Sequence, residues 1–291
     1  IAYSAHSEYT PTEEISHWPG RTNVVEYGMT TFGDLFTSRQ LIALSTYSDL
    51  VKEARHHIIE HAKSHGWKDD GVSLDNGGHC ATAYGDALAV YLAFAVDRTA
   101  NTLCTISRWT ASREQTVTAF ARQAIPMTWD FPEVNPFSGA AGDYTVSISS
   151  ICKSIKKLPF AMKAGKSFQH DAMSNGYHTP CIISTDPPYY DNIGYADLSD
   201  FFYVWLRRSL VDILPSLFST MLVPKADELV ASPYRHGNKR KAEAFFIDGM
   251  TKAMQHLSQH HHRSYPTTIY YAFKQAEQKD QGLVSTGWAT F

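Results

Sequence analysis

Downstream of Leu35 the apolar residues keep a helical rhythm for long stretches, broken by short runs with strand character. Leu41, Leu44, Tyr47, Leu50, Val51, Ala54 and Ile58 recur at three- and four-residue steps, which predicts an amphipathic helix reaching about His65. Thr37 and Gln40 have capping-box spacing at its start, and Gly66 suits its end. A glycine- and aspartate-rich loop fills 66–79. Ala81 to Arg98 predicts a second helix, with Tyr84, Leu88, Tyr91, Leu92 and Ala95 at helical spacing and apolar residues all round, the pattern of a buried helix. A third helix is expected from Thr110 to about Arg122, and a fourth from Val146 to Leu158 with Ile148, Ile151 and Ile155 on one side and Lys153, Lys156 and Lys157 on the other. Residues 1–30 are polar and rich in turn formers, such as Trp18-Pro19-Gly20, and read as an extended arm or linker.

The second half changes period. Cys181-Ile182-Ile183-Ser184-Thr185 has buried-strand character, and Thr267-Thr268-Ile269-Tyr270-Tyr271-Ala272-Phe273-Lys274 is a strand by its β-branched and aromatic content. Between them lie two helical stretches, Leu198 to Leu210 around Phe201, Val204 and Trp205, and Ala242 to His260 around Phe246, Met250 and Met254. Strand, helix, helix, strand is the order of a parallel crossover, so the two strands should lie side by side in an α/β fold.

Composition narrows the chemistry. Across 291 residues, 26 Lys plus Arg against 29 Asp plus Glu give a formal charge of -3, so any nucleic-acid contact has to come from a local basic patch. Cys80, Cys104, Cys152 and Cys181 are scattered without a Cys-x-x-Cys pair, which argues against a disulfide framework or zinc ribbon and for a reducing cytoplasm. His260-His261-His262 cannot share one helical face, and no metal site is expected. No apolar run reaches membrane-spanning length. The chain opens on Ile1 and stops at Phe291, shortly after Ser285-Thr286-Gly287-Trp288, which has the look of a helix start; the expectation is a segment of a longer protein.

The candidate chemistry sits where the first strand ends. Pro187 and Pro188 cannot donate to a sheet ladder, so Asp186 must stand where the strand leaves the sheet, and Tyr189 follows at once. In open α/β sheets ligands bind at strand C-termini. An aromatic exocyclic amine is a poor nucleophile because its lone pair is delocalised. The Asp186 carboxylate and the Pro187 carbonyl could together hold both amine hydrogens, and the Tyr189 ring could stack on a base taken out of its duplex. The plain alternative is a strand exit punctuated by prolines, with half-buried tyrosines.

Asp186-Pro187-Pro188-Tyr189 after a hydrophobic strand resembles the catalytic motif of amino-group DNA methyltransferases. The stretch Thr185 to Arg208, with Tyr190-Asp191-Asn192-Ile193-Gly194-Tyr195 and Asp200-Phe201-Phe202-Tyr203-Val204-Trp205, looks like the large adenine-specific DNA methylases of prokaryotic defence loci, and Leu35-Phe36 with Arg39-Gln40 extends the likeness upstream. The resemblance implies S-adenosylmethionine as cofactor, adenine in double-stranded DNA as target, and a partial Rossmann-like methyltransferase sheet. Domains are then expected as an arm over 1–30, a mainly helical region over 31–130 and a catalytic portion over 131–291, with further parts of the parent protein before and after.

Asn135-Pro136-Phe137-Ser138-Gly139 is superficially like a cofactor-binding glycine loop, which makes Phe137 and Gly139 candidate cofactor contacts. Pro126 and Pro132 stand where the preceding strand should be, however, and the similar methylases carry their glycine loop farther upstream. Tyr190, Tyr195, Arg235, Lys239 and Arg240 are the candidate nucleic-acid contacts, and a merely solvated basic loop is the alternative for the last three. Arg108, Trp109, Arg113, Arg122 and Gln123 cluster as a basic-aromatic group, either for phosphate and base contact or as a helix end docked by Trp109. Rival functions are a non-catalytic nucleic-acid or protein-binding module, and methylation of RNA or of a protein amide.

Overall fold

The computed structural model describes residues 9–159, 165–174, 180–190 and 193–271, and the chain divides into two units, 1–160 with 196–223, and 161–195 with 224–291. The Asp191-Asn192 pair, Lys274 and Ser285-Trp288 lie outside the described residues.

In the first unit the expected long helix is α1, Ser38–Ser64. Its capping box forms as the spacing predicts: the Gln40 backbone N–H donates to Thr37 Oγ1, and the Thr37 N–H donates to Gln40 Oε1 at 2.8 Å. The second helix is α2, Ala81–Ala100. It is not apolar-buried all round: Ala89, Ala93, Val96 and Ala100 face the core, while Tyr84, Tyr91 and Phe94 are exposed. The reason is close approach. α1 and α2 meet through small residues, with Ile59 lying where a Cβ on Gly85 would fall, 2.4 Å from its Cγ1, and the large rings are left on the outer side. A buried ion pair fastens the two helices: Arg55 Nε donates to Asp86 Oδ1 at 2.6 Å, and the Leu74 N–H donates to Asp86 Oδ2.

The stretch expected as a third helix is instead a hairpin. β1, Arg108–Thr110, pairs antiparallel with β2, Gln115–Val117, through a turn in which Glu114 takes φ 48°. The β-branched Thr116 and Val117 suit a strand, and no apolar stripe rewards a helix here. Trp109 is thus on a strand and more than half exposed, so it docks no helix end. α3, Tyr144–Ile155, follows with Asp143 as its N-cap.

The stretch expected as an arm belongs, over its described part, to the core. Ile15, Trp18 and Val24 are buried, and the Ile15 N–H donates to the Thr30 carbonyl. Gly33 permits this: a Cβ there would stand 2.6 Å from the Pro11 carbonyl oxygen. From Ala196 onward α4, Tyr195–Leu210, completes the core of this unit with the fully buried Phe201 and Trp205. Phe36 stacks on Phe201 and meets Trp205 edge-on.

The second unit holds a smaller core of Leu229, Ala231, Ala242, Phe246 and Met250. The short helix α5, Pro233–His236, leads to α6, Lys239–His260. The two strands expected to be neighbours are: β3, Ser184–Thr185, pairs in parallel with β4, Thr268–Ile269, in the register Ser184 to Thr268 and Thr185 to Ile269. A parallel bridge from Cys181 to His261 extends the pairing. The described residues therefore form a mixed helical fold with two two-stranded sheets. None of their helices is long and apolar enough to cross a membrane.

Candidate functional site

β3 runs into Asp186 as expected. Its ladder is complete up to that residue: the Thr268 N–H donates to the Ile183 carbonyl at 3.0 Å, and the Tyr270 N–H to the Thr185 carbonyl at 2.8 Å. Pro187 has no N–H to continue the ladder and is buried, while the Asp186 carboxylate is exposed. A buried proline behind an exposed carboxylate fixes the direction in which the chain leaves the sheet.

Tyr189 returns towards that carboxylate. Its hydroxyl donates to Asp186 Oδ1 at 3.2 Å, and its ring stands edge-on to Tyr271, with centroids 5.6 Å apart. Burial first, and then the hydrogen bond and charge of Asp186, push the Tyr189 phenol up. Tyr195 is also pushed up, by burial and then by the charges of Asp186 and Glu228. Both shifts favour the neutral phenol beside the Asp186 carboxylate.

The tyrosine turn is held from two sides. The Tyr190 N–H donates to Tyr271 Oη at 3.4 Å, and Tyr190 Oη donates to Glu243 Oε1 at 2.9 Å. The Tyr190 ring meets Phe246 edge-on, and its carbonyl accepts from the Ala231 N–H. Tyr190 thus anchors the turn to α6 and to the strand end after β4, a structural task in place of the base contact expected of it. Tyr271 and Glu243 are site residues that sequence reasoning missed. Tyr271 was legible as a strand residue, but nothing in the sequence aims it at Tyr189; Glu243 gave no signal at all.

The expected DNA contacts separate. Arg235 is mostly buried, donating from Nη1 to Glu228 Oε2 at 2.6 Å and to the Lys225 carbonyl at 3.2 Å, so its charge is spent closing the loop before α5. Lys239 and Arg240 do not lie in a loop but in the first turn of α6, exposed, behind the N-cap Asn238. Cations at a helix N-terminus oppose its dipole, which leaves these two available to an outside anion and does little for the helix.

Phe137 and Gly139 belong to the first unit. Gly139 takes φ 69°, but open space lies where its Cβ would be, and its N–H already donates to Asp143 Oδ2 at 2.8 Å. Asp143 spends its other oxygen capping α3 through the Thr145 N–H, and these backbone donors, Gly139 first, hold its carboxyl below the usual range. The loop is thus a helix-capping device. Phe137 is left exposed at the mouth of a cavity.

No protein-family model, no curated protein and no solved structure matches this chain.

The site is therefore read from its own residues. Among those described, no three His, Cys, Asp or Glu side chains gather as a metal-binding group. What stands at the end of β3 is an exposed carboxylate, a carbonyl on a rigid proline pair and a tyrosine ring, tied by Tyr271 and Glu243 into one turn.

Proposed function

We propose that this chain supplies the amine-holding half of an amino-group methyltransferase site, acting on the exocyclic amine of adenine flipped out of double-stranded DNA. The observation that supports it is the placement of Asp186: an exposed carboxylate at the C-terminal end of a parallel strand, with Pro187 buried behind it and the Tyr189 ring beside it. In this reading Asp186 and the Pro187 carbonyl accept the two amine hydrogens, drawing the nitrogen lone pair out of conjugation. The phenol of Tyr189, which donates to Asp186, gives way to the incoming amine. Tyr271 and Glu243 hold the turn rigid, so little reorganisation is needed when the base arrives. S-adenosylmethionine is the methyl source the motif calls for. The steps above use only groups of this chain. A partial Rossmann-like sheet around β3 and β4, and a cytoplasmic setting, belong to the same reading.

A second reading is a non-catalytic module that retains the motif, because the sequence lacks a clear glycine loop after a strand. Titration of S-adenosylmethionine into the 291-residue chain distinguishes them at the level of the segment: little or no binding is expected of this chain alone, and micromolar binding would place a cradle within it. The test of the site itself is Asp186→Ala in the longer parent protein. Methyl transfer should fall by about 10²–10³, the usual effect of losing one preorganised polar contact, with cofactor affinity within a few fold. Near-normal turnover would remove Asp186 from the mechanism.

A further inference from the structure

The corner between α5 and α6 carries Tyr234, Lys239, Arg240 and Lys241 on its outside, all exposed. The residues between Tyr234 and the cations are pinned inward. His236 stacks on Phe245 with centroids 4.1 Å apart, Arg235 closes on Glu228 at 2.6 Å, and Asn238 caps α6 by accepting from the Lys241 N–H. The corner is therefore a fixed support, and what it presents outward is one phenol and three cations.

Those three cations have no use within the fold. None of them forms an ion pair among the described residues, whereas Arg235 and Lys252 of the same unit are matched by Glu228 and Asp248. Consecutive in sequence, they repel one another and oppose the dipole of α6. The Tyr234 hydroxyl, on a side chain 60 % exposed, likewise makes no hydrogen bond among the described residues. Only an anion from outside offsets such an arrangement, and closely spaced charges on one partner suit it best. A nucleic-acid duplex carries one negative charge per roughly 1.7 Å of its axis. The formal charge of the whole chain is -3, so the attraction has to be local to this corner.

The corner is fastened to the candidate site. Glu243, which accepts from Tyr190 Oη at 2.9 Å, lies one turn after Lys239 on the same face of α6, about 6 Å along the axis. From the other side, the Ala231 N–H donates to the Tyr190 carbonyl at 2.8 Å, three residues before Tyr234. A strand that delivers a base to Asp186 and Tyr189 thus brings its neighbouring phosphates within reach of these long side chains.

We propose that the α5–α6 corner is the phosphate clamp of the Asp186 site. Lys239, Arg240 and Lys241 pair with backbone phosphates of duplex DNA beside the target base, and Tyr234 Oη donates to a phosphate oxygen. The identity of the polyanion rests on the methyl-transfer reading; the charges and their placement do not.

Fluorescence anisotropy of a labelled DNA duplex, titrated with the 291-residue chain between about 50 and 200 mM salt, tests the clamp. The triple variant Lys239→Gln, Arg240→Gln, Lys241→Gln should bind at least about tenfold more weakly, whatever the duplex sequence. Its slope of log K against log salt should shrink by about 2–3, near 0.9 per phosphate released. Tyr234→Phe should weaken binding a few fold at unchanged slope, because a neutral donor displaces no counterion. The melting temperature of the triple variant should be unchanged or raised, since the lost charges oppose the helix dipole. A lowered one would make the loss structural and overturn the assignment, as would an unchanged slope or no binding of DNA at low salt. Tighter binding of duplex RNA, or equal competition by polyglutamate, would assign the corner to another polyanion and overturn it too. The measurement involves no methyl transfer. An unchanged slope therefore strikes the clamp alone, whereas full turnover by Asp186→Ala with the slope effect intact removes the chemistry and keeps the clamp.

Discussion

Tyr189 joins two roles in one side chain, and the structure makes them separable. Under the proposed function its ring is the surface for a stacked base, while its hydroxyl donates to Asp186 Oδ1. Tyr189→Phe should leave turnover of the parent enzyme unchanged or somewhat raised, since the amine no longer displaces a phenol. Tyr189→Ala should lower affinity for an extrahelical target by about one to two decades, the scale of base–aromatic stacking. Equal damage from both would assign the work to the hydroxyl. At the same scale, the Glu133 carboxyl is held below its ordinary value, chiefly by the hydrogen bond from Arg39. A carboxyl depressed in the folded state contributes stability above its unfolded pKa of about 4.3, and loses it as pH falls through the lower folded value. The melting-temperature gap between the native chain and Glu133→Gln should therefore be present at neutral pH and close on acidification. A gap independent of pH would mean that the contact with Arg39 acts by shape and not by charge.

The pairing of α1 with α2 is closest at one small residue. Gly85 faces the Ile59 side chain and, at 3.3 Å from a would-be Cβ, the Arg55 carbonyl oxygen. Gly85→Ala gains helix propensity in isolation but must displace Ile59, and overpacking of this kind costs about 1–3 kcal/mol. Urea unfolding of Gly85→Ala should show a lower midpoint at unchanged slope. Ile59→Val in the same chain should recover part of the loss, and a midpoint equal to the native one would show that the contact is slack. The same close approach explains the outer face of α2: small residues win the core side, so Tyr91 and Phe94 remain outside.

The two units differ in what holds them. The first has a continuous core running from Ile15 through α1, α2 and α4 to Phe218, whereas the described residues of the second hold a smaller apolar cluster around α6 and a short parallel strand pair. Local opening free energy follows buried apolar contact. Hydrogen exchange should therefore be slowest in α1, α2 and α4, and clearly faster in α6 and at the β3 amides. Equal protection across both units would show that the smaller core is reinforced by something outside its described contacts.

Local rules were enough where one element decided its own structure. The capping box of α1, the start of α2, the end of α6 and the stop at Pro187 follow from side chains and backbone within a few residues, whereas α3 begins and ends earlier than its apolar spacing predicts. Even the parallel partner of β3 was legible, since crossover order leaves few choices. Elsewhere the outcome rested on distant partners. The hairpin at β1 and β2 replaced a helix because no apolar stripe tied that segment to the core. Ile15, Trp18 and Val24 became core because Gly33 let Pro11 approach. Arg235 was claimed by Glu228, and Gly139 by Asp143, before either could serve a ligand. The sequence by itself determined where Asp186 and Tyr189 leave the strand. Only the tertiary structure decided that Tyr271 and Glu243 brace them, because hydrogen-bond partners chosen across long loops leave no periodicity to read.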